Sequence, residues 1–309
     1  MQRVPFLRSV LGLNTKVDPV RLPYDPESGA QFLSEAVNVD IDATGRVSRR
    51  KGIQKMTNRP QPHSLWSNFD GTSCFFISEN KLHRLRSDGM IMDVKVPVEV
   101  GAKAHYCEIG NDIFFSNGHE QGIIRDGFTW EDWVQTDYTG PDTTRSFNGP
   151  PIGGCMGYHA GRIFVAVDNH LFYSEPFNYG CFDYSSGFVT LSGSEINNIS
   201  TMDFGLFVST DDAVYWLRGP GPDEWDLRRV LVSPVIPGTV VSIQSELISE
   251  EYSGRAIVFA TRDHGLCMFI GDGRIVFLSQ DLVDLPVASA GHAVFNKDNN
   301  FQYLTFLEV

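Results

Sequence analysis

Between residue 70 and the C-terminus the chain repeats one pattern six times. A polar or glycine lead is followed by a short, Phe-rich apolar run, a turn, and a second apolar run. The units begin at Asp70, Gly110, Ala160, Asp203, Ser253 and Asn299. With Phe75, Phe114, Phe164, Phe207, Val258 and Leu304 as equivalent points, successive units lie 39, 50, 43, 51 and 46 residues apart. Periods of about 40–50 residues built only of strands are the signature of a β-propeller. A single such unit cannot bury both of its faces, so the units must stack around an axis.

Each unit reads as a four-stranded blade. The innermost strands are expected at Ser64–Trp66, Ala104–Cys107, Cys155–Tyr158, Asn198–Thr201 and Val241–Ile243. The Phe-rich run is the second strand. Its continuous rather than alternating apolarity fits a strand covered on both faces. Tight turns at Asn80-Lys81, Asn169-His170, Asp211-Asp212 and His264-Gly265 lead to the third strand. Met90–Val94 and Gly273–Leu278 read as outer edges. Residues 135–151, with Gly140-Pro141 and Gly149-Pro150-Pro151, read as a loop between the second and third blades, and Gly219–Pro222 as another irregular excursion.

The sixth unit is short. After Leu304 the chain ends at Val309, leaving room for two strands at most. Residues 36–56 supply two more. Val37, Val39 and Ile41 alternate with Asn38, Asp40 and Asp42, and Ala43-Thr44-Gly45 reads as a three-residue hairpin loop with glycine at the position needing φ > 0. In that register Asp42 faces Arg46, Ile41 faces Val47, and Asp40 lies diagonal to Arg50, with opposite charges holding the pairing. A lone hairpin is marginal in water. The expectation is therefore an all-β, six-bladed propeller whose last blade is closed by this N-terminal hairpin, leaving no bare edge. Residues 1–35, with Pro5, Pro19, Pro23 and Pro26, read as an extended arm that wraps its own domain or reaches a neighbour. Gln31–Ala36 is expected to make a short helical turn. Residues 36–309 form the single propeller domain.

Formal net charge is −13, from 38 acidic and 25 basic residues. Such acidity argues against gripping a nucleic-acid backbone, where neutralising phosphate supplies affinity. It suits solubility, or a wall along which DNA slides without sticking. Cys74, Cys107, Cys155, Cys181 and Cys267 are scattered, odd in number and without a C-x-x-C pair, as expected for free thiols in a reducing compartment. No signal-peptide pattern and no membrane-length apolar run is seen.

Chemistry is sparse. Asp126-Gly127-Phe128-Thr129-Trp130 resembles the tail of the Asp-box turn of sialidase-like propellers, one residue short, and such boxes are structural. Sialidases bind a carboxylate through three arginines; Arg162, Arg218, Arg228 and Arg262 are present, but no spacing brings them together. His159 and His170 are isolated. Asp211-Asp212 falls in a turn, where Asp is common for local reasons. Asp281, Asp284 and Asn296–Asn300 lack the ligand spacing of a calcium loop. Arg49-Arg50-Lys51 could touch phosphate, but it sits beside Asp40 and Asp42, where cross-strand pairing is the simpler role. No phosphate-binding loop, dinucleotide fingerprint, nucleophile elbow or zinc-protease motif occurs. No catalytic, cofactor-binding or metal-ligating residue is assigned, and no enzyme activity is expected.

Leu11-Gly12-Leu13-Asn14, Asp18-Pro19, Ala36-Val37-Asn38-Val39-Asp40 and Gly45–Gly52 together resemble the opening of a group of tailed-bacteriophage virion proteins. There, a pattern like G-x-N … N-V-D-x-D-x-x-G-x-x-x-x-R-x-G precedes a propeller-like domain. These are similar to the tail hub or nozzle proteins of short-tailed phages. The resemblance implies a structural, head-to-tail connector role in the virion, assembled in the host cytoplasm. It also implies a homo-oligomeric, sixfold ring around the DNA path, with portal, adaptor and other tail proteins, and tail fibres, as partners. DNA would pass during ejection without specific binding, and nothing would insert into a membrane. The partial Asp box and the Trp130–Trp133 pair leave a sialidase-like or carbohydrate-binding propeller as the alternative.

Overall fold

Four antiparallel strands in simple up-and-down order make the first sheet: β6 (His63–Ser67), β7 (Cys74–Ser78), β8 (Lys81–Leu85) and β9 (Ile91–Lys95). The computed structural model describes residues 9–42, 44–52, 54–68, 71–141, 144–193, 195–296 and 302–309, and the same meander recurs along it. Five N-terminal strands precede the blades: β1 (Ser9–Leu13), β2 (Tyr24–Asp25), β3 (Ala30–Leu33), β4 (Val39–Ile41) and β5 (Val47–Arg49). The second blade is β10 (His105–Ile109), β11 (Asp112–Ser116), β12 (Gln121–Arg125) and β13 (Thr129–Asp132). The third is β14 (Met156–His159), β15 (Arg162–Val167) and β16 (His170–Glu175), with its outer position split between β17 (Asn178–Phe182) and β18 (Phe188–Thr190). The fourth is β19 (Ile196–Met202), β20 (Gly205–Thr210), β21 (Val214–Arg218) and β22 (Asp226–Leu231). The fifth is β23 (Val241–Gln244), β24 (Arg255–Thr261), β25 (Gly265–Phe269) and β26 (Ile275–Phe277). The sixth has two strands, β27 (Ala290–Asn296) and β28 (Gln302–Glu308). The fold is an all-β propeller.

The second strands carry the core. Phe75, Phe115, Phe164, Phe207 and Phe259 are fully buried, each worth about 1.5–3 kcal/mol over leaving the ring in water. Successive residues serve opposite seams, because strand side chains alternate. Phe115 joins Phe75, Ile77 and Tyr106 between blades one and two. Its neighbour Phe114 joins Met156, Ile163 and Phe182 between blades two and three. Phe164, Leu206 and Tyr215 fill the next seam; Phe207, Trp216, Phe259 and Phe269 the one after; and Val258 and Met268, with Phe295 and Tyr303, the seam between blades five and six. Tight turns between strands use left-handed residues, as at Ala160-Gly161 (φ +49° and +77°) and Asp126-Gly127 (φ +49° and +71°), which suits the twist of two-residue hairpins.

The N-terminal segment departs from expectation. Residues 9–33 form a three-stranded sheet, not an extended arm. β1 (Ser9–Leu13) pairs in parallel with β3 (Ala30–Leu33), and β2 (Tyr24–Asp25) pairs with the other edge of β3. The helical turn expected at Gln31–Ala36 is not formed: Gln31–Leu33 are the end of β3, and Ser34–Ala36 are irregular. Asn14 explains the exit from β1: it is buried, its N–H donates to Leu33 O (2.8 Å), and its Oδ1 accepts from Lys16 and Val17 N–H (3.1 and 3.2 Å). Beyond it, Thr15 N–H donates to Leu282 O (2.8 Å), Asp284 N–H donates to Thr15 Oγ1 (3.0 Å), and Lys16 pairs with Asp284 (3.1 Å).

The hairpin has the expected register but not the expected neighbour. β4 (Val39–Ile41) and β5 (Val47–Arg49) pair Ile41 with Val47 and Asp40 with Ser48. Arg50 reaches Asp40 diagonally at 3.1 Å, and Gly45 sits at φ +77°. Ala43, in the loop, lies outside the described residues. The expected pairing with the last strand is corrected: among the described residues β4 and β5 pair only with each other, and β27 and β28 likewise. The turn is held elsewhere. Val10 N–H donates to Gly45 O (2.8 Å), and Gly45 packs so tightly on β1 that a Cβ would lie 2.7 Å from Val10 O. The N-terminal segment does meet the stretch that follows blade five, through Thr15, Lys16 and residues 282–284, but not by strand pairing.

Candidate functional site

In a meander the first-to-second and third-to-fourth turns lie at one end of each blade. The second-to-third turns lie at the other. This assigns the sequence-selected groups to places. Asp126–Phe128 is the third-to-fourth turn of blade two, a structural hairpin as expected. Trp130 packs on Phe115 (5.3 Å between rings) with Nε1–H donating to Asp132. Trp133 is 4% exposed and donates to Tyr179 O (2.9 Å). The tryptophan pair thus does not present an open stacking platform. Gly122 makes room for it: a Cβ there would lie 2.2 Å from the Trp130 ring.

The four arginines stay apart, save for one pair. Arg218 and Arg228 converge on Asp226 (3.1 and 2.7 Å) at the rim of blade four. Arg162 donates to Ser174 O (2.6 Å) in blade three and lies over Tyr173. Arg262 is in the second-to-third turn of blade five, at the opposite end, its N–H directed to Pro234 O. His159 is 2.7 Å from Gly219 O, and His170 packs on Phe172 and Phe188. Asp212 accepts from Thr210 Oγ1 (2.6 Å), a local turn bond. Asp284 serves Lys16. Residues 297–300 of the asparagine-rich stretch lie outside the described residues. Among the described residues, no group of three or more His, Cys, Asp or Glu is disposed to hold a metal ion, and no helix is long and apolar enough to cross a membrane.

Two clusters were not visible in the sequence. Cys155 Sγ lies 3.8 Å from His105 Nε2, across the seam between the innermost strands of blades two and three. Burial pushes the thiol up to about 12, helped by Glu195, and burial with Lys103 pulls the imidazole down to about 4. A reactive cysteine needs the reverse, a lowered thiol beside a protonated histidine, so near neutral pH this is a neutral pair. In the second cluster Arg145, from the 135–151 loop, donates to Glu175 (2.7 Å) and Asp183 (3.1 Å) and stacks on Phe147. Asp183 is 5% exposed on its side chain. Burial works to raise its acid, but hydrogen bonds from Ser185 and Ser186 and the Arg145 guanidinium outweigh it and hold it well below the usual carboxylate range. With both Asp183 oxygens engaged and Glu175 Oε1 accepting from Arg145, this cluster fastens the loop to blade three.

An open cleft of about 1380 Å³ lies between the N-terminal sheet and blades five and six. One wall has Val10, Ala30, Ile41 and Gly45; the other has Val258, Leu266, Phe295 and Tyr303. The hairpin that lines it with Ile41 and Gly45 also carries the exposed cations Arg46, Arg49, Arg50 and Lys51.

No family model matches the chain, and no curated protein matches it. Solved structures do. The extracellular domain of a one-component system from B. thetaiotaomicron matches with a TM-score of 0.52 at 13% identity, over 86% of this chain and 36% of that one. The extracellular domain of a hybrid two-component system from the same organism gives 0.47 at 11%, over 82% and 32%. A gluconolactonase of Xanthomonas campestris gives 0.46 at 10%, over 82% and 88%. The chain spans about a third of the length of the first two. At such identity the likeness is one of fold.

Proposed function

We propose that this chain is a structural component of a tailed-phage virion: a ring-forming tail hub, nozzle or head-to-tail connector protein around the DNA exit channel. One observation carries the reading. The motif residues Asn38–Asp40 and Gly45–Gly52 build a real hairpin, with the expected register, turn glycine and Asp40–Arg50 pair. It is displayed on a rigid propeller rather than absorbed into it. Net charge of −13 supports a wall that repels passing duplex. The role is mechanical rather than catalytic: stacked blades set a bore, while the hairpin and elongated loops dock neighbours such as portal, adaptor and other tail proteins. The chain would be assembled in the host cytoplasm and reside in the virion.

Mass spectrometry of purified phage particles tests this. Peptides of the chain at several copies per particle are expected, and their absence would sink the reading. The sialidase-like or carbohydrate-binding alternative rests on the partial Asp box, which is a structural hairpin turn here, and on Trp130 and Trp133, whose packing gives it little support. Turnover of a fluorogenic sialoside would revive it and displace the structural reading.

A further inference from the structure

Among the described residues the sixth sheet has two strands, β27 and β28, and the β4–β5 hairpin pairs with no other strand. In the five complete blades the second strand is buried almost throughout. Its counterpart β28 is buried nowhere along its length. β27 and β28 pair His292 with Phe306 and Val294 with Leu304 on one face, where Phe306 is 57% and Val294 50% exposed. The opposite face, with Phe295 and Tyr303, packs on blade five. A seven-residue edge with such a face is a template for another strand.

The chain's own hairpin is held away from that edge. Its turn is fastened to β1 by the Val10–Gly45 bond, β1 continues into the Thr15–Leu282 bond, and the cleft separates the hairpin from Gln302 and Tyr303. The hairpin is also the basic part of an acidic molecule. Arg46, Arg49, Arg50 and Lys51 are exposed in a chain of net charge −13, so a second copy's body attracts it. Donor hairpin and acceptor edge are different surfaces. Joining them between copies is a head-to-tail contact, which closes into a ring when the rotation allows.

We propose that the bare edge of β28 is completed by the β4–β5 hairpin of a second copy of this chain, successive copies linking hairpin to edge. The inference rests on the ring-forming reading above and names its contact.

The test uses the full-length chain and two surface variants, Phe306→Asp at the acceptor and Val47→Asp at the donor, each checked for an unchanged denaturation midpoint. Wild-type protein is expected to assemble, with amides of residues 302–308 exchanging at least tenfold more slowly at high than at low protein concentration. Each variant alone is expected to stay monomeric. Mixed, they are expected to stop at a dimer, because one keeps only the hairpin and the other only the edge. Three results overturn the inference: assembly with residues 302–308 exchanging as in the monomer; protection of that edge in a monomer at every dilution, which would mean closure by the chain's own hairpin; and dissociation by Phe306→Asp but not by Val47→Asp. None of these removes the chain from the virion, so particle mass spectrometry judges the broader reading separately.

Discussion

The backbone N–H of Val10 donates to the carbonyl of Gly45 at 2.8 Å, and this bond decides where the hairpin points. Gly45 is at φ +77°, and a Cβ would come within 2.7 Å of Val10 O and 2.8 Å of Ser9 Cβ. Both the left-handed backbone and the close approach to β1 therefore require glycine.

Gly45→Val should release the hairpin without unfolding the propeller. A branched residue in left-handed conformation costs about 1–3 kcal/mol, and the contact with β1 adds a clash. The expected outcome is faster limited proteolysis between residues 42 and 52, with the main thermal transition moved little. If the main transition falls as far as it does for a core substitution, the hairpin is integral to the blades.

Phe259→Ala should be among the most destabilising substitutions. Phe259 is fully buried between blades four and five against Phe207 (5.2 Å between rings), and removing such a ring costs about 3–5 kcal/mol. Phe204→Ala, in the exposed turn between β19 and β20, should stay within about 0.5 kcal/mol. Chemical denaturation of both variants checks the contrast, and comparable losses would contradict the assigned blade order.

The blades were legible because their signal is redundant. A second strand covered on both faces reads as a continuous apolar run, as at Cys74–Ser78 and Gly205–Thr210, and it recurs at the spacing of one blade. The hairpin register was legible from Gly45 and the charges flanking it. Its neighbour was not, because alternation at Val37, Val39 and Ile41 says which face is half-buried and not what lies against it. The N-terminal sheet was hidden for another reason. β2 is two residues long, β1 bulges at Gly12, and much of the order comes from the side chain of Asn14. The Cys155–His105 contact joins residues 50 apart, and no local spacing reports it. The same holds for Arg145 with Asp183, which are 38 apart.

Asp183 should give the acid limb of the stability curve. Its folded acid is held below the ordinary value by Ser185, Ser186 and Arg145, which together overcome burial. A depressed folded value means that the contribution is fully present above the unfolded value of about 3.9 and is lost as pH falls through the folded one. Asp183→Asn should lower stability at pH 7 by about 1–3 kcal/mol and flatten the loss below about pH 4. Urea midpoints across pH 2–7 check this. An unchanged acid limb would mean that other carboxylates dominate it.

His105 and Cys155 should be seen in a different window. His105 is held down to about 4, chiefly by burial and then by Lys103, whereas an unfolded histidine titrates near 6.5. Between those values the unfolded chain binds a proton that the folded chain does not, so stability should rise with pH from about 4 to about 6.5 and then level off. His105→Gln should reduce that slope. Cys155, pushed up to about 12 by burial, should resist iodoacetamide at pH 8 until the protein unfolds. Cys107 is also raised to about 12 by burial and should behave alike. Cys74 is the half-buried exception among the five free thiols, though burial raises it too, and it should be labelled first. Peptide mapping after timed alkylation reads this order directly. Early modification of Cys155 would mean that the seam between blades two and three opens, and that its contact with His105 is a reactive pair after all.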